Sequence, residues 1–158
     1  VQGDCYAGGM GLAAVCEVVI ASDNVTFCLS EARLGLLPAT ISPYVLNAIG
    51  ERHSRRYFLT AETFDAAEAL RIGLVHQAVP PEQLDDAVNT ITGHLVKGGP
   101  AAMAAAKDLV DAVARGPLDA ELRADTARRI AMARASDEGR EGIRSFLEKR
   151  RPAWLLNK

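Results

Sequence analysis

The pattern of apolar and polar positions changes along this chain, from short mixed segments to long helices. Residues 9–16 are too apolar on every side for a surface helix and predict a short buried helix. Residues 17–22 and 25–29, rich in β-branched and apolar side chains, predict two strands around the turn signal Asp23-Asn24. Residues 30–38 contain Gly35 and Pro38 and predict a loop or a single turn.

From residue 42 onward the spacing favours helices. Ser42 predicts an N-cap before Pro43, Gly50 separates a first helix from a second, and Asp65 caps a third that ends before Gly73. An extended segment is predicted at 74–79, and helices are predicted over residues 42–49, 51–60, 66–72, 82–96, 100–114, 118–135 and 140–150. The chain therefore divides into a mixed α/β part, residues 1–79, and a helical part, residues 80–158.

Composition narrows the range of functions. The 158 residues suit one domain, and a net charge of −2 with interspersed signs argues against nucleic acid as a partner. Three cysteines without metal-ligand spacing favour a reducing compartment, so we expect a cytoplasmic protein. No apolar run is long enough for a membrane span. The chain begins on Val1-Gln2-Gly3, which is typical of the end of a buried strand, so we expect an N-terminal portion to precede it.

The glycines at the start of the first helix form a candidate binding turn. Gly8 and Gly9 would let a ligand oxygen approach bare backbone N–H groups, where the helix dipole favours negative charge. Tight packing of the helix is the alternative explanation. The spacing of the glycines does not match the dinucleotide-binding GxGxxG pattern, and no Walker-type lysine follows.

Glu31 is a candidate acid–base residue because apolar residues surround it in the sequence. Phe27, Cys28 and Leu29 precede it, and three leucines follow within six positions. Apolar surroundings disfavour the ionised form of a carboxyl group relative to its protonated form. Such a group is suited to proton transfer near neutral pH. The alternative is a structural ion pair with Arg33 or with an arginine of the following helices.

The other ionisable groups give weaker signals. His53, His76 and His94 have no triad-like surroundings and are predicted to be surface or helix-end residues. The arginines at positions 52, 55 and 56 fit either a solvated helix face or a phosphate-binding patch, and the sequence does not decide between them.

Taken together, these motifs resemble the crotonase, or enoyl-CoA hydratase/isomerase, superfamily over essentially the whole chain. The resemblance rests on residues that occur in the family's order: Val1-Gln-Gly3, Ala7-Gly8-Gly9, Cys16-Glu17, Phe27 to Glu31, Leu34-Gly35, Pro38, Glu141-Gly142 and Phe146 to Arg150. Residues 39–44 and 56–60 are similar to bacterial methylglutaconyl-CoA hydratase-like proteins of leucine and isovalerate degradation.

The resemblance implies an α/β fold, the C-terminal part of a crotonase-like spiral of ββα turns, followed by a helical trimerisation region. It implies a homo-oligomer, either a trimer or a dimer of trimers. The substrate would be an acyl-CoA thioester, with no cofactor because coenzyme A is part of the substrate. Two backbone N–H groups would hold the thioester oxygen; Gly8 matches the second of them, and the first would precede residue 1.

The family's hydratases use two glutamates, and the resemblance carries over only one of them. Glu31 matches the acid that gives a proton to the α-carbon, whereas position 11, where the other acid is expected, holds Gly11. Asp4 is the nearest other acid in the sequence. Ala7 replaces the commonest glycine, which we expect to be a mild change. The residues implied to bind substrate are Cys5, Ala7, Gly8, Gly11, Ser30, Glu31, Leu34 and Ala39, with Phe146 and Lys149 completing a neighbouring subunit's site.

Three functions follow from this interpretation. The first is a hydro-lyase that adds water to a 2-enoyl-CoA, with methylglutaconyl-CoA as a candidate substrate. Residues 39–42, Ala-Thr-Ile-Ser, replace a glycine-rich segment of the family and would reshape the acyl pocket for a branched acyl group. The second is an enoyl-CoA isomerase that uses Glu31 alone, which Gly11 favours. The third is a non-catalytic binding or assembly domain.

Overall fold

The computed structural model describes residues 1–156, apart from the side chain of residue 115. It divides into two compact units, Val1–Thr90 and a second unit from Ile91 onward. The sequence analysis placed a boundary between residues 79 and 80, with a spiral core before it and an oligomerisation region after it. These two roles stay predictions.

The first unit mixes short strands with helices, as the sequence predicts. In chain order its elements are β1 (Cys5–Tyr6), α1 (Gly8–Ala14), β2 (Ile20–Ser22), β3 (Thr26–Cys28), α2 (Ser42–Thr60), β4 (Phe64–Asp65), α3 (Ala66–Arg71) and β5 (Gln77–Val79). A five-residue 3₁₀ helix, Ser30–Leu34, lies between β3 and α2. A second 3₁₀ turn, Pro81–Gln83, leads into α4 (Leu84–Leu95).

Two small sheets organise this unit. The order β1-β3-β4 forms one sheet, in which β1 pairs parallel with β3 and β3 pairs antiparallel with β4. The second sheet pairs β2 with β5 in parallel. The predicted strand end at residues 1–3 lies instead beside β2, where Ser22 N–H donates to the Val1 carbonyl at 2.9 Å.

The core of this unit is lined by α1, α2, α3 and strands of both sheets. Phe27 stacks on Phe64 with ring centroids 5.7 Å apart, and Tyr57 tilts over Phe64 at 4.2 Å. The Tyr57 hydroxyl donates to Glu68 at 2.6 Å, which satisfies its polar end inside the core. Burial and this hydrogen bond raise the pKa of Tyr57 to about 12.

Several helix boundaries predicted from the sequence are confirmed, and one differs. The backbone of α2 breaks at Gly50, which has φ 73°, so residues 42–49 and 51–60 are two helical segments as predicted. Asp65 caps α3 by accepting the Glu68 N–H at 2.8 Å. Ile41 rather than Ser42 is the N-cap of α2, because the Ser42 hydroxyl donates backward to the Ala39 carbonyl at 2.9 Å.

The second unit is helical and contains α5 (Pro100–Arg115), α6 (Ala120–Ala135), α7 (Asp137–Leu147) and a final 3₁₀ turn, Ala153–Leu155. Ser136 caps α7 by accepting the Gly139 N–H at 3.0 Å. The α7 residue Glu138 accepts the Ala101 and Ala102 N–H groups at 3.0 and 2.8 Å, so one carboxylate closes the first turn of α5.

Among the described residues, no helix combines the length and the apolar character that a bilayer crossing requires.

Candidate functional site

The glycine turn and Glu31 leave the same edge of one sheet. The register of the parallel pair β1–β3 places Cys5 opposite Phe27 and Tyr6 opposite Cys28. The ladder continues one step further, since the Ala7 N–H donates to the Cys28 carbonyl at 2.8 Å. Because parallel strands present their carboxyl ends at one edge, the segments that follow Tyr6 and Cys28 emerge side by side.

Gly8 is the first residue of α1, so its N–H has no carbonyl one helical turn earlier to bind. Gly8 is exposed, and a Cβ at this position would have no heavy atom within 4 Å. The next glycine is more constrained, because a Cβ at Gly9 would lie 3.6 Å from Cys5 Sγ.

Ala7 differs from the sequence-based expectation. We expected alanine to be a mild replacement for glycine here, but the residue has φ 46° and ψ −117°. A positive φ of this kind is unfavourable for any residue with a Cβ. The turn that presents Gly8 therefore holds local backbone strain, of about 1–3 kcal/mol for such a residue.

Glu31 lies in the 3₁₀ helix Ser30–Leu34, which ends at Gly35 in the left-handed conformation with φ 70°. Its carbonyl accepts the Leu36 N–H at 3.0 Å, which closes the turn. Its Oε2 atom is buried and has no hydrogen-bond partner among the described residues. Buried polar atoms are normally paired, so an unpaired carboxylate oxygen is more typical of a functional site than of a structural one.

The structural ion pair that the sequence allowed is absent from the described residues. No arginine pairs with Glu31 there; instead Arg55 binds Glu51 at 2.6 Å and Arg56 binds Glu62 at 2.7 Å. These two exposed pairs also favour the interpretation of the α2 arginines as a solvated helix face.

The apolar surroundings expected for Glu31 do not come from the leucines that follow it. Leu34, Leu36 and Leu37 are all exposed, with Leu34 72% accessible. On α1, Leu12 is 73% exposed, although the sequence predicted a helix buried on every side. A run of exposed apolar residues around one site indicates a surface that binds a ligand or another segment.

Gly11 and Ile41 form a close contact that the sequence did not reveal. A Cβ built on Gly11 would lie 2.7 Å from Ile41 Cβ and nearer still to Ile41 Cγ2. A real Cβ atom essentially never has a heavy atom from a residue beyond its chain neighbours within 3.0 Å. Ile41 therefore occupies the space that a side chain at position 11, where the resemblance expects an acid, would need. Two features of the sequence could have pointed to this contact. Position 11 lacks the acid that the resemblance expects, and the bulky Ile41 stands in a segment that the resemblance expects to be glycine-rich.

Asp4, the other nearby acid, has a structural role. Its Oδ1 accepts both the Thr26 N–H at 3.0 Å and the Thr26 hydroxyl at 2.9 Å. The Tyr6 hydroxyl lies 2.9 Å from the same Thr26 oxygen. These bonds tie β1 to β3 and leave Asp4 poorly suited to proton transfer.

The remaining predicted site residues of the first unit differ in accessibility. Cys5 is buried beneath the glycine turn, and burial raises the pKa of its thiol. Ser30 is half-buried beside Glu31, whereas Ala39 is exposed. Their contact with substrate stays a prediction.

Phe146 and Lys149 lie in the second unit, at the end of α7. Phe146 is 80% exposed, and Lys149, with φ 52°, donates its N–H to the Phe146 carbonyl at 3.2 Å. The segment that follows is held by Glu141, which accepts the Arg150 guanidinium at 2.6 Å and the Ala153 N–H at 2.9 Å. Their predicted role in a neighbouring subunit's site stays untested.

His76 has a structural role in the second sheet. His76 accepts the Val19 N–H on Nδ1 at 3.1 Å, and its own backbone N–H donates to the Val19 carbonyl at 2.8 Å. It thus extends the β2–β5 pairing.

Two open cavities, of about 340 and 300 Å³, have linings that include neither Gly8 nor Glu31.

Comparison with known proteins supplies the context for this geometry. A family model described as enoyl-CoA hydratase/isomerase matches residues 1–157. The carnitinyl-CoA dehydratase of Citrobacter koseri is 30% identical over 166 residues, covering 98% of this chain. The match covers 60% of that enzyme, so the chain spans about 60% of the length of the curated relatives it matches.

Solved structures agree in fold. A Legionella pneumophila protein assigned to the enoyl-CoA hydratase/isomerase (crotonase) group superposes with a TM-score of 0.93 at 45% identity, covering 98% of this chain and 60% of that one. An enoyl-CoA hydratase of Shewanella pealeana gives a TM-score of 0.93 at 43% identity, covering 98% and 57%. These superpositions confirm the expected α/β crotonase-like fold.

Proposed function

Because this chain belongs to the enoyl-CoA hydratase/isomerase family, we propose that the protein acts on an enoyl-CoA thioester and uses Glu31 as its acid–base residue. The observation that carries the proposal is the buried Oε2 atom of Glu31, which has no hydrogen-bond partner among the described residues. An unpaired carboxylate oxygen, on a segment that leaves the sheet beside the Gly8 turn, can transfer a proton to or from a substrate carbon.

Gly8 supports the same chemistry from the neighbouring segment at the same sheet edge. Its N–H would donate to the thioester oxygen and stabilise the negative charge that forms there when the α-carbon gains or loses a proton. The start of α1 adds a partial positive charge at this point. Removal of one such donor in enzymes typically costs a factor of about 100 to 1,000 in rate.

Water addition is the reaction we propose first. The oxygen of water would bond to the β-carbon of a 2-enoyl-CoA, the double bond would shift its electrons toward the thioester oxygen, and protonated Glu31 would deliver a proton to the α-carbon. The proton released by water must pass to a second base. Neither Gly11 nor Asp4 supplies one, so we propose that the free carboxylate of a substrate such as methylglutaconyl-CoA takes this proton. Methylglutaconyl-CoA remains a candidate substrate from the sequence.

A shift of the double bond is the second candidate, and the contact between Gly11 and Ile41 favours it. Glu31 would remove a proton from the α-carbon of a 3-enoyl-CoA, leaving a dienolate held at the Gly8 N–H. The same carboxyl group would then return the proton to the γ-carbon, which gives the 2-enoyl-CoA. One acid completes this reaction without water or a co-reactant.

We also propose a homo-oligomer, a trimer or a dimer of trimers, assembled through the helical part. Large apolar side chains that stay exposed on the second unit support this, because such residues mark interaction surfaces. They include Leu118, Ile130, Met132, Phe146 and Leu147. The free cysteines support a reducing, cytoplasmic location.

The test is a comparison of Glu31→Gln with wild type in the full-length protein. Each is offered a panel of 2-enoyl-CoA and 3-enoyl-CoA thioesters, methylglutaconyl-CoA included, and the conjugated thioester absorbance is followed. We expect Glu31→Gln to lower the rate by about 10² to 10⁴, the usual contribution of general acid–base catalysis. The matched control is Glu121→Gln on the exposed face of α6.

The outcomes separate the candidates. Loss of absorbance from 2-enoyl-CoA supports water addition, whereas a gain from 3-enoyl-CoA without later loss supports the double-bond shift. If Glu31→Gln keeps the wild-type rate, Glu31 is not the acid–base residue. If wild type binds the thioesters without converting any of them, the protein is a binding or assembly module.

A further inference from the structure

Thr26, the first residue of β3, is bonded at both ends of the short strand that leads into the glycine turn. Its backbone N–H and its hydroxyl both donate to the carboxylate of Asp4, just before β1, at 3.0 and 2.9 Å. Its hydroxyl oxygen also lies 2.9 Å from the hydroxyl of Tyr6, the last residue of β1. The register of the β1–β3 pair, continued one residue back, places Asp4 directly opposite Thr26.

The single proton of the Thr26 hydroxyl fixes the direction of both side-chain bonds. A carboxylate oxygen accepts hydrogen bonds and does not donate them, so this proton points to Asp4. The Tyr6 hydroxyl is then the donor to Thr26. Asp4 and Tyr6 are two residues apart and share one face of the extended segment, so one threonine hydroxyl can reach both. The result is a chain of hydrogen bonds from Tyr6 through Thr26 to Asp4.

This hydrogen-bond chain ends beside the strained turn. Tyr6 is followed directly by Ala7, whose φ of 46° is unfavourable for a residue with a Cβ. Such a conformation persists only where the surrounding structure holds it. The Ala7 N–H donates to the Cys28 carbonyl at 2.8 Å, and the Ala7 carbonyl accepts the Met10 N–H at 3.0 Å. The Thr26 hydroxyl adds a side-chain anchor on the residue that precedes the turn.

We propose that Thr26 is a positioning residue whose hydroxyl keeps the Ala7 turn in the conformation that presents the Gly8 N–H. This inference rests on the proposed function, in which that N–H binds the thioester oxygen. Thr26 lies at the amino end of β3, whereas the candidate site lies beyond the carboxyl ends of the strands, so Thr26 acts through the backbone. Aim matters because a misplacement of about 1 Å at a reacting centre can cost about 100-fold in rate.

The experiment removes the hydroxyl and keeps the shape of the side chain. Full-length wild type, Thr26→Val and Thr26→Ser are assayed with a straight-chain 2-enoyl-CoA, a straight-chain 3-enoyl-CoA and methylglutaconyl-CoA, and kcat and KM are measured separately. Valine matches threonine in shape but makes neither hydroxyl bond, whereas serine keeps the hydroxyl. The urea midpoint of each variant is measured as well, so that a loss of stability is seen separately from a loss of rate.

We expect Thr26→Val to lower kcat by about tenfold and to leave KM within about twofold, because an interaction made in the transition state affects kcat rather than substrate binding. The loss should stay below the factor of about 100 to 1,000 that follows removal of such a donor, since the Gly8 N–H is misaimed but still present. Thr26→Ser should restore most of the wild-type kcat. Tyr6→Phe removes only one of the bonds and should lower kcat by less, which keeps the test decisive if Thr26→Val folds poorly.

Two further proteins serve as controls. Thr90→Val removes a hydroxyl that donates to the Asp86 carbonyl at 2.9 Å within α4, so it should leave kcat unchanged. Thr26→Val is also made in the Ala7→Gly background. Glycine adopts a positive φ without strain, so the turn no longer needs the anchor and the loss of kcat should be small there.

The outcomes separate this inference from the proposed function. If Thr26→Val keeps the wild-type kcat and only its urea midpoint falls, the hydroxyl is merely structural and the inference is wrong while the proposed function stands. A loss that is equally large in the Ala7→Gly background, or a Thr26→Ser variant as slow as Thr26→Val, also contradicts it. If wild type converts none of the thioesters, the proposed function is wrong and the inference falls with it.

Discussion

Replacing Gly11 by alanine should destabilise this protein, because the space that the new methyl group needs already holds Ile41. The added Cβ would lie 2.7 Å from Ile41 Cβ, whereas ordinary contacts begin at 3.4 Å. The two groups must therefore separate by at least 0.7 Å, the difference between these distances. Gly11 lies within α1 and Ile41 caps α2, and both helices pack against the core, so the separation requires distortion.

Two opposing effects decide the size of the change. Overpacking of this kind costs about 1–3 kcal/mol in the free energy of unfolding. Alanine stabilises a helix relative to glycine by about 0.8–1.0 kcal/mol. Because Ile41 Cγ2 is nearer still, we take the upper part of the first range and expect a net loss of about 2 kcal/mol.

A second substitution isolates the contact. Ile41→Gly removes the side chain and leaves the Cα of residue 41 at 3.8 Å from the new methyl group, an ordinary contact. Glycine is tolerated at an N-cap, so the start of α2 should persist. In this background Gly11→Ala should be neutral or stabilising by up to about 1 kcal/mol, which makes the coupling between the two positions about 2–3 kcal/mol.

The assay is urea unfolding of the four proteins at one fixed protein concentration, because subunit association contributes to the stability of an oligomer. Gly93→Ala in α4 is the matched control, since a Cβ there would meet no heavy atom within 4 Å and should stabilise. The reasoning fails if Gly11→Ala unfolds at the wild-type midpoint. It also fails if Gly11→Ala costs as much in the Ile41→Gly background as it does in the wild-type protein.

Two further predictions concern strain and pH. Ala7→Gly should raise the free energy of unfolding by about 1 kcal/mol, because relief of a positive φ outweighs the added freedom of the unfolded chain. A higher urea midpoint would show this gain. The control Ala104→Gly, in an exposed part of α5, should lower the midpoint by a similar amount. An Ala7→Gly variant less stable than wild type would contradict the strained turn. Hydrogen bonds from Arg71 and then Tyr57 lower the pKa of Glu68 to about 2 from its usual 4.5. Its carboxylate therefore stabilises the fold above about pH 4.5, and this contribution is lost as the pH falls toward 2. Glu68→Gln should be less stable than wild type at neutral pH, and the gap in urea midpoints should narrow on acidification; parallel curves would contradict this.

Local signals in the sequence predicted much of the fold. Gly50, Asp65 and Gly73 each mark a helix boundary because their preference arises within a few residues of backbone, from a positive φ or a side-chain cap. The same reasoning failed at Ser42, where a hydrogen bond back to Ala39 moved the cap by one residue.

The sequence allows the members of the candidate site to be proposed, but it does not reveal how they pack. Gly8 and Glu31 stood out by residue type. The contact between Gly11 and Ile41 joins residues far apart in the sequence, and no periodicity encodes it. Likewise, Leu12 and Leu34 are apolar by sequence yet exposed in the structure, because hydrophobicity does not specify which ligand or segment covers a side chain.

The short parallel pairing of β1 with β3 has a consequence for how such a site can change. It joins the glycine turn to the Glu31 segment through two pairs of residues, with Thr26 held by Asp4. A slip of this register moves one segment by about 3.3 Å and turns each side chain to the opposite face. The spacing between the Gly8 amide and the Glu31 carboxylate can therefore change only in steps of one residue and not by small shifts. New acyl groups must be accommodated by exchanging side chains at the border of the site, with the backbone frame kept intact.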